Sequence, residues 1–307
     1  MLRYALGRIG GMIPTLLVIV TVSFFIVHAA PGGPFDQEQT LTAQVRANLD
    51  KAYGLDQPLP VQYFKYVRGL LQGDFGPSLK LRDFRVSELI AQGLPVSLSL
   101  GLTALLLALG VGIPLGVAAA LRRGGFVDHL GTVLVVLGMA LPGFVTGPVL
   151  ALAFGVYLRW LPVAGWEGFD PRYVILPALT LAFPVIAAVA RLTRTSLLEV
   201  LRANYIHTAR ARGLGGARIL WRHALRPALL PVVSYLGPAT AFVVTGSLVV
   251  ETVFGLPGTG RFLVQGAINR DYTLVMGMVI VYGTLLLLLN LLADLIYGWL
   301  DPRVRHE

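Results

Sequence analysis

Six apolar stretches dominate the chain, at residues 9–29, 94–121, 130–158, 174–190, 228–250 and 274–293. Each can cross a hydrocarbon core as a helix, which takes about 20 apolar residues. The runs are continuously apolar and do not alternate, so membrane β-strands are excluded. The pattern predicts an all-α integral membrane protein with six spans. Arg3 and Arg8 precede the first run and Ala29-Ala30 follows it, the outline of a signal peptide. At roughly 19 residues it exceeds the usual signal core of about 7–15, and it is read as an uncleaved anchor.

The spans divide the chain into an N-terminal end with the first span (1–30), an external loop (31–93) and a core of five spans (94–307). The external loop has a periodicity of its own. Leu41, Val45 and Leu49 recur every four residues ahead of Gly54, which predicts a short helix with a glycine stop. Pro60 can open a second helix, with Val61, Phe64 and Leu71 as its apolar positions and Gly73 as its end. Residues 86–91 then run directly into the second span. Such a loop can cap the outer helix ends or form part of a docking face for an external partner, and the residues leave both readings open.

Prolines at 14, 95, 114, 142, 148, 177, 184, 231 and 238 lie in or beside spans and predict kinked helices. Glycine pairs at Gly7/Gly11, Gly112/Gly116 and Gly143/Gly147 allow close helix approach, within the bundle or towards another subunit.

Charge sets the orientation. The N-terminus, the loops at 122–129 and 191–227 and the C-terminus together hold 14 Lys+Arg against five acids, Asp128, Glu199, Asp294, Asp301 and Glu307. The opposite side holds 11 of each sign, so one face carries the whole net charge of +9. The positive-inside rule makes that face cytoplasmic, with both termini on it. The pI of about 10.1 is thus topogenic and gives no reason to expect nucleic acid as a partner.

The chemistry of the spans is sparse. Apart from His28 and Asp294 near their ends, the six cores contain no ionisable side chain. Proton- and ion-coupled carriers place acids or histidines there, so a secondary transporter or pump built from this chain alone is not expected. No phosphate-binding G-x-x-x-x-G-K-[ST], no H-E-x-x-H and no G-x-S-x-G occurs. The five histidines are scattered and cysteine is absent, so no metal site, cofactor or catalytic residue is predicted. Three classes stay in view: a subunit that depends on a separate ATPase, a stand-alone channel or carrier, and a membrane-anchored interaction protein without a pathway.

The loop at 191–227 is the most informative segment. It holds eight arginines and a single acid, Glu199. Leu198, Leu201, Tyr205 and Thr208 follow one another at steps of three and four, one face of a helix. Arg210 and Arg212 sit in its last turn, where cations suit the helix dipole, and Gly213 ends it. A second helical piece at 217–225 returns to the membrane, where Pro227 and Pro231 mark the start of the fifth span. Physically, the loop can rest on anionic headgroups or place a short helix in the groove of a cytosolic partner.

The residues Asn204-Tyr205-Ile206-His207-Thr208-Ala209-Arg210-Ala211-Arg212-Gly213-Leu214 resemble the EAA loop of binding-protein-dependent ABC importer permeases. His207-Thr208-Ala209 fills the place of the EAA triplet, Gly213 that of the glycine and Leu230-Pro231 that of the closing pair. The degenerate triplet and longer spacing resemble the peptide-transporter branch, whose loop reads [DN]-[YF]-I-x-T-A-R-A-[KR]-G-L. The blocks at 29–35, 73–78, 250–258, 269–272 and 301–305 are similar to the same branch. Gly73-Asp74-Phe75-Gly76-Pro77-Ser78 in the long external loop favours the oligopeptide group over dipeptide or nickel relatives.

The resemblance implies a type I ABC importer permease fold in a bacterial cytoplasmic membrane. It implies a second homologous permease subunit, two cytosolic ATP-binding subunits that dock on the EAA loop, and an extracytoplasmic peptide-binding protein. It makes the loop a coupling helix: Tyr205, Ile206, Thr208 and Ala209 as contact residues, Arg210 and Arg212 as anchors by charge, Gly213 as the turn, with Glu199, Asn204 and Leu214 in the same loop. It does not nominate residues that touch cargo.

Overall fold

The computed structural model describes residues 2–35, 42–81, 83–168 and 170–300, all helices and connections apart from one isolated antiparallel bridge, Pro77 to Arg85. Leu41 and the block at 301–305 lie outside these residues. Five helices are long and apolar enough to cross a membrane: α1 (Leu2–Ala29), α4 (Val86–Leu121), α7 (Pro171–Val200), α11 (Leu230–Phe254) and α13 (Tyr272–Leu300). A bent pair, α5 (Phe126–Ala140) and α6 (Gly143–Leu150), supplies the sixth span if counted as one. The short helices are α2 (Ala43–Tyr53), α3 (Leu59–Leu71), α8 (Asn204–Ala211), α9 (Gly216–Ile219), α10 (Leu225–Ala228) and α12 (Thr259–Asn269).

The predicted third span, one run at 130–158, is broken. Its two halves meet at 115°. Leu141 is extended (φ −90°, ψ 119°), and Pro142 is extended ahead of α6 (φ −70°, ψ 151°). Proline removes an amide donor and pushes the residue before it out of the helical region, so the chain turns at this dipeptide. A π-helical segment, Ala151–Tyr157, completes the second half.

The chain divides into two compact units. One comprises Met1–Arg8, Leu98–Leu256 and Leu286–Glu307. Its centre is α7, which packs on α5, α6 and α11 and has 61% of its apolar window buried. Of the predicted glycine pairs, Gly112/Gly116 serves packing inside this unit. A Cβ on Gly112 would meet Val189 Cβ at 2.9 Å, and one on Gly116 would lie 2.5 Å from the Ala190 carbonyl oxygen. A Cβ on Gly7 or Gly11 would meet nothing within 4 Å. α11 runs past residue 250 and buries Glu251 completely, an acid that the apolar pattern leaves just outside its span. Arg8 and Asp294 pair at 3.2 Å, but both are too exposed for the pair to contribute much.

The other unit comprises Ile9–Ser97 and Pro257–Leu285. The predicted loop helices form: Thr42 caps α2 through Val45 N, and Gly54 ends it with a left-handed backbone. In α3 the buried face differs from the expected one. Val61, Phe64 and Leu71 are exposed, whereas Tyr63 and Tyr66 pack on Phe24 of α1, and Tyr63 Oη bonds Thr21 Oγ1 at 2.7 Å. Aromatic rings on α1 select the tyrosine face over the aliphatic one.

The apolar pattern did not predict α12. Its first amide, on Thr259, donates to Ser97 Oγ of α4 at 2.9 Å, so its cap comes from another helix. Asp271 is the hub of this unit. It accepts from Leu274 N at 3.1 Å as the cap of α13, from Lys80 N at 3.2 Å, from Thr273 Oγ1 at 3.1 Å and from Ser78 Oγ. Tyr272 donates to the Gly32 carbonyl at 2.7 Å. The sequence blocks around 32, 78 and 271 therefore meet in space.

Candidate functional site: the arginine-rich loop

α7 ends at Val200, and residues 201–203 turn before α8 begins. The helical face expected through Leu198, Leu201, Tyr205 and Thr208 is therefore split between two helices. Ala203 takes an extended backbone (φ −70°, ψ 147°) as the N-cap, which redirects the chain. Packing explains the redirection. Ile206 and Ala209 enter an apolar cluster with Ala120, Leu197, Ile219, Ala224 and Ala228, and Leu198, Leu201 and Leu214 pack around it.

Ile206 and Ala209, expected on the contact face, are thus covered by this chain's own residues. Asn204, Tyr205, His207, Thr208, Arg210 and Arg212 are exposed, as is Glu199 at the end of α7. Arg210 and Arg212 form no ion pair among the described residues. Gly213 has φ +78°, a left-handed turn that a Cβ would strain, and its amide closes on the Arg210 carbonyl at 2.9 Å. The return piece is α9, a π-helical turn at Leu220–Ala224, and α10, which leads into α11 at Leu230. The loop is a folded subdomain with a dry underside and a polar, cationic outer face.

One contact that seats the loop escaped the sequence reading. Arg194, on α7 ahead of the turn, donates from Nε to Asp128 Oδ1 at 2.5 Å and from Nη2 to Oδ2 at 2.8 Å. Gly124 N also donates to Asp128 Oδ2, at 2.9 Å. The fork ties the 122–129 connection to the root of the 191–227 loop, and a bidentate guanidinium–carboxylate pair fixes orientation as well as distance.

A cleft of about 330 Å³ opens where the third span breaks, lined by residues 138–144, by Thr180, Leu181 and Pro184 of α7, and by Phe242 to Val250 of α11. Among the described residues it holds no ionisable side chain, and the Thr180 hydroxyl is engaged by the Leu176 carbonyl at 2.8 Å. Its walls can accept apolar surface, but they offer no charged group for selecting a cargo.

Residues 112–306 match the family described as binding-protein-dependent transport system inner membrane component, and residues 1–101 match its N-terminal companion family. The chain belongs to this family. It is 46% identical over 306 residues to the oligopeptide transport system permease protein OppB of Haemophilus influenzae, covering 100% of both chains. To the dipeptide transport system permease protein DppB of Bacillus subtilis it is 42% identical over 305 residues, covering 99% of this chain and 98% of the relative. An inward-facing structure of the MetNI methionine ABC transporter aligns with a TM-score of 0.54 at 19% identity, over 69% of this chain and 96% of that one. At that identity the likeness shows a shared fold. This inner membrane component therefore has the type I permease architecture, and its arginine-rich loop lies within the matched region.

Proposed function

We propose that this inner membrane component is the pathway-forming permease of an ATP-driven importer of oligopeptides. One observation carries the cargo class: full-length identity of 46% to an oligopeptide permease, above the 42% to a dipeptide permease. In this reading the chain pairs with a second, homologous six-span subunit. Two cytosolic ATPases drive the pair, and an extracytoplasmic peptide-binding protein delivers the cargo. Both termini and the 191–227 loop lie in the cytoplasm, as the one-sided net charge of +9 favours.

The loop's construction supports its role as the coupling element. A lever must move as one body, and the cluster beneath α8 makes helix and return piece a single packed unit. Asn204, Tyr205, Thr208, Arg210 and Arg212 present the surface an ATPase would hold, while Ile206, Ala209 and Leu214 keep α8 attached to α7. Closure of the ATPase dimer then displaces α8, and the Arg194–Asp128 fork passes that displacement to the 122–129 connection.

The test is reconstitution of this chain with its partner permease, both ATPases and the binding protein in proteoliposomes. ATP-dependent uptake of oligopeptides is expected, with neither uptake nor ATP hydrolysis by this chain alone. Preferred uptake of dipeptides, nickel or glutathione would assign it to those relatives instead. Flux through the isolated chain would replace the importer reading with a channel.

A further inference from the structure

The outer-loop unit contains a cavity of about 400 Å³, lined by the end of α1, the α2–α3 pair, residues near 78 and the start of α13. Its wall is aromatic: Phe24, Tyr66 and Tyr272 line it, and His28 stacks on Phe24 with ring centres 4.1 Å apart. Two exposed lysines, Lys51 and Lys65, also line it, and among the described residues no lining side chain is acidic. Lys65 Nζ donates to Gln57 Oε1 at 2.7 Å, which leaves two of its protons for another acceptor. The Lys51 ammonium has no hydrogen bond or ion pair among the described residues, and its carbonyl accepts from Gly54 N at 3.2 Å. Tyr66 has a buried hydroxyl with no hydrogen-bond partner, and burial pushes its pKa up, so it stays a neutral donor. A buried donor without an acceptor is costly, and in native proteins it calls for an explanation.

The combination is specific. The volume falls in the range of small-molecule sites, about 300–1,000 Å³, and such sites are mostly apolar with a few convergent polar groups. Three donors with spare capacity stand in this lining: Lys51 Nζ, Lys65 Nζ and the Tyr66 hydroxyl. Two are cationic and one is a neutral phenol. An acceptor with negative charge, attached to an apolar or aromatic body, complements the set. We propose that this cavity binds the C-terminal end of a short peptide, the carboxylate on Lys51 and Lys65 and the last side chain against the aromatic wall. The proposal rests on the oligopeptide reading above and deepens it. A free carboxylate is common to all linear peptides, so the lysines would hold cargo whatever its sequence upstream of the last side chain.

The experiment uses the assembled importer in nanodiscs without its binding protein. The probes are Ala-Ala-Phe and its C-terminal amide, titrated calorimetrically. The acid is expected to bind and the amide to bind at least about tenfold more weakly. Lys51→Gln with Lys65→Gln should weaken the acid by a similar factor and leave the amide unchanged. Tyr66→Phe, which keeps the ring, should weaken the acid about threefold. Both lysines are exposed, so an unaltered thermal unfolding curve is expected for the double variant. Equal affinity for acid and amide, or full affinity in the lysine variant, overturns the assignment. Nanodiscs of phosphatidylcholine with and without phosphatidylglycerol are compared. Equal affinity supports a peptide ligand, and loss of binding with the anionic lipid gives the cavity to a lipid headgroup instead. Weaker capture of the binding protein by the lysine variant, without any tripeptide binding, would make the lysines a docking contact and also overturn the proposal. ATP-dependent peptide uptake by the same complex, measured with the binding protein, is the separate readout. If uptake persists while Ala-Ala-Phe does not bind, the cavity assignment fails and the importer reading stands.

Discussion

Arg194 forks onto Asp128, with both guanidinium contacts falling on one carboxylate that also accepts the Gly124 amide. This joins the connection after α4 to the stem of the arginine-rich loop. Arg194→Ala is expected to lower uptake several-fold, and to lower the protein's membrane level about twofold, because a carboxylate with little exposure loses its counter-charge. Asp128→Asn keeps an acceptor and should be milder. In a double-mutant cycle read by thermal unfolding, the two losses should be strongly non-additive. Simple additivity would mean that the pair does not seat the loop.

The face of α8 decides which substitutions report on coupling. Ala209→Asp, the probe that the motif suggests, places a charge inside the cluster with Leu197 and Ile206. Its expected effect is misfolding of the loop, a cost of several kcal/mol, and a reduced protein level. Tyr205→Asp and Thr208→Asp alter exposed positions. They should leave the level near normal, abolish peptide uptake and reduce co-purification of the ATPase. Normal uptake by both would make the loop a basic membrane tether.

Gly116 faces α7 at a separation with no room for a methyl group, whereas Gly11 has open space. Gly116→Ala should destabilise the isolated chain by about 1–3 kcal/mol through overpacking. Gly11→Ala should leave it unchanged. Unfolding in detergent, followed by temperature, distinguishes the two; equal midpoints would refute the close α4–α7 approach.

Asp271 serves four donors at the outer end of α13. Asp271→Ala should cost about 1–2 kcal/mol from the lost cap alone. It should also increase protease sensitivity of the 76–86 segment, which hangs on Ser78 and Lys80. Asp271→Asn, which retains one acceptor oxygen, should recover part of that loss. Unchanged proteolysis in Asp271→Ala would show that the outer loop is held by its aromatic contacts alone.

Orientation is tested by reporter fusions after Lys80 and after Gly213. Activity consistent with opposite sides is expected, the second fusion being cytoplasmic. The same side for both would contradict the charge argument.

The sequence by itself determined the features that depend on local chemistry. Apolar run length marked the five helices long enough to cross a membrane and the bent pair that can make a sixth, because a helix in lipid must satisfy its own backbone over the full hydrocarbon width. Gly54 and Gly213 marked helix ends, because their left-handed backbones are a property of the residue. Pro142 announced a bend in the third span, though its 115° size belongs to the folded chain. Tertiary structure decided the rest. Asp128 meets Arg194 across 66 positions and Ser78 meets Asp271 across 193, separations that leave no periodic trace. α12 was missed because its first amide is capped by Ser97 on another helix. The inward turn of Ile206 and Ala209 was also hidden. An eight-residue amphipathic helix has one apolar stripe, and only the neighbours it meets decide whether that stripe is a docking face or a core.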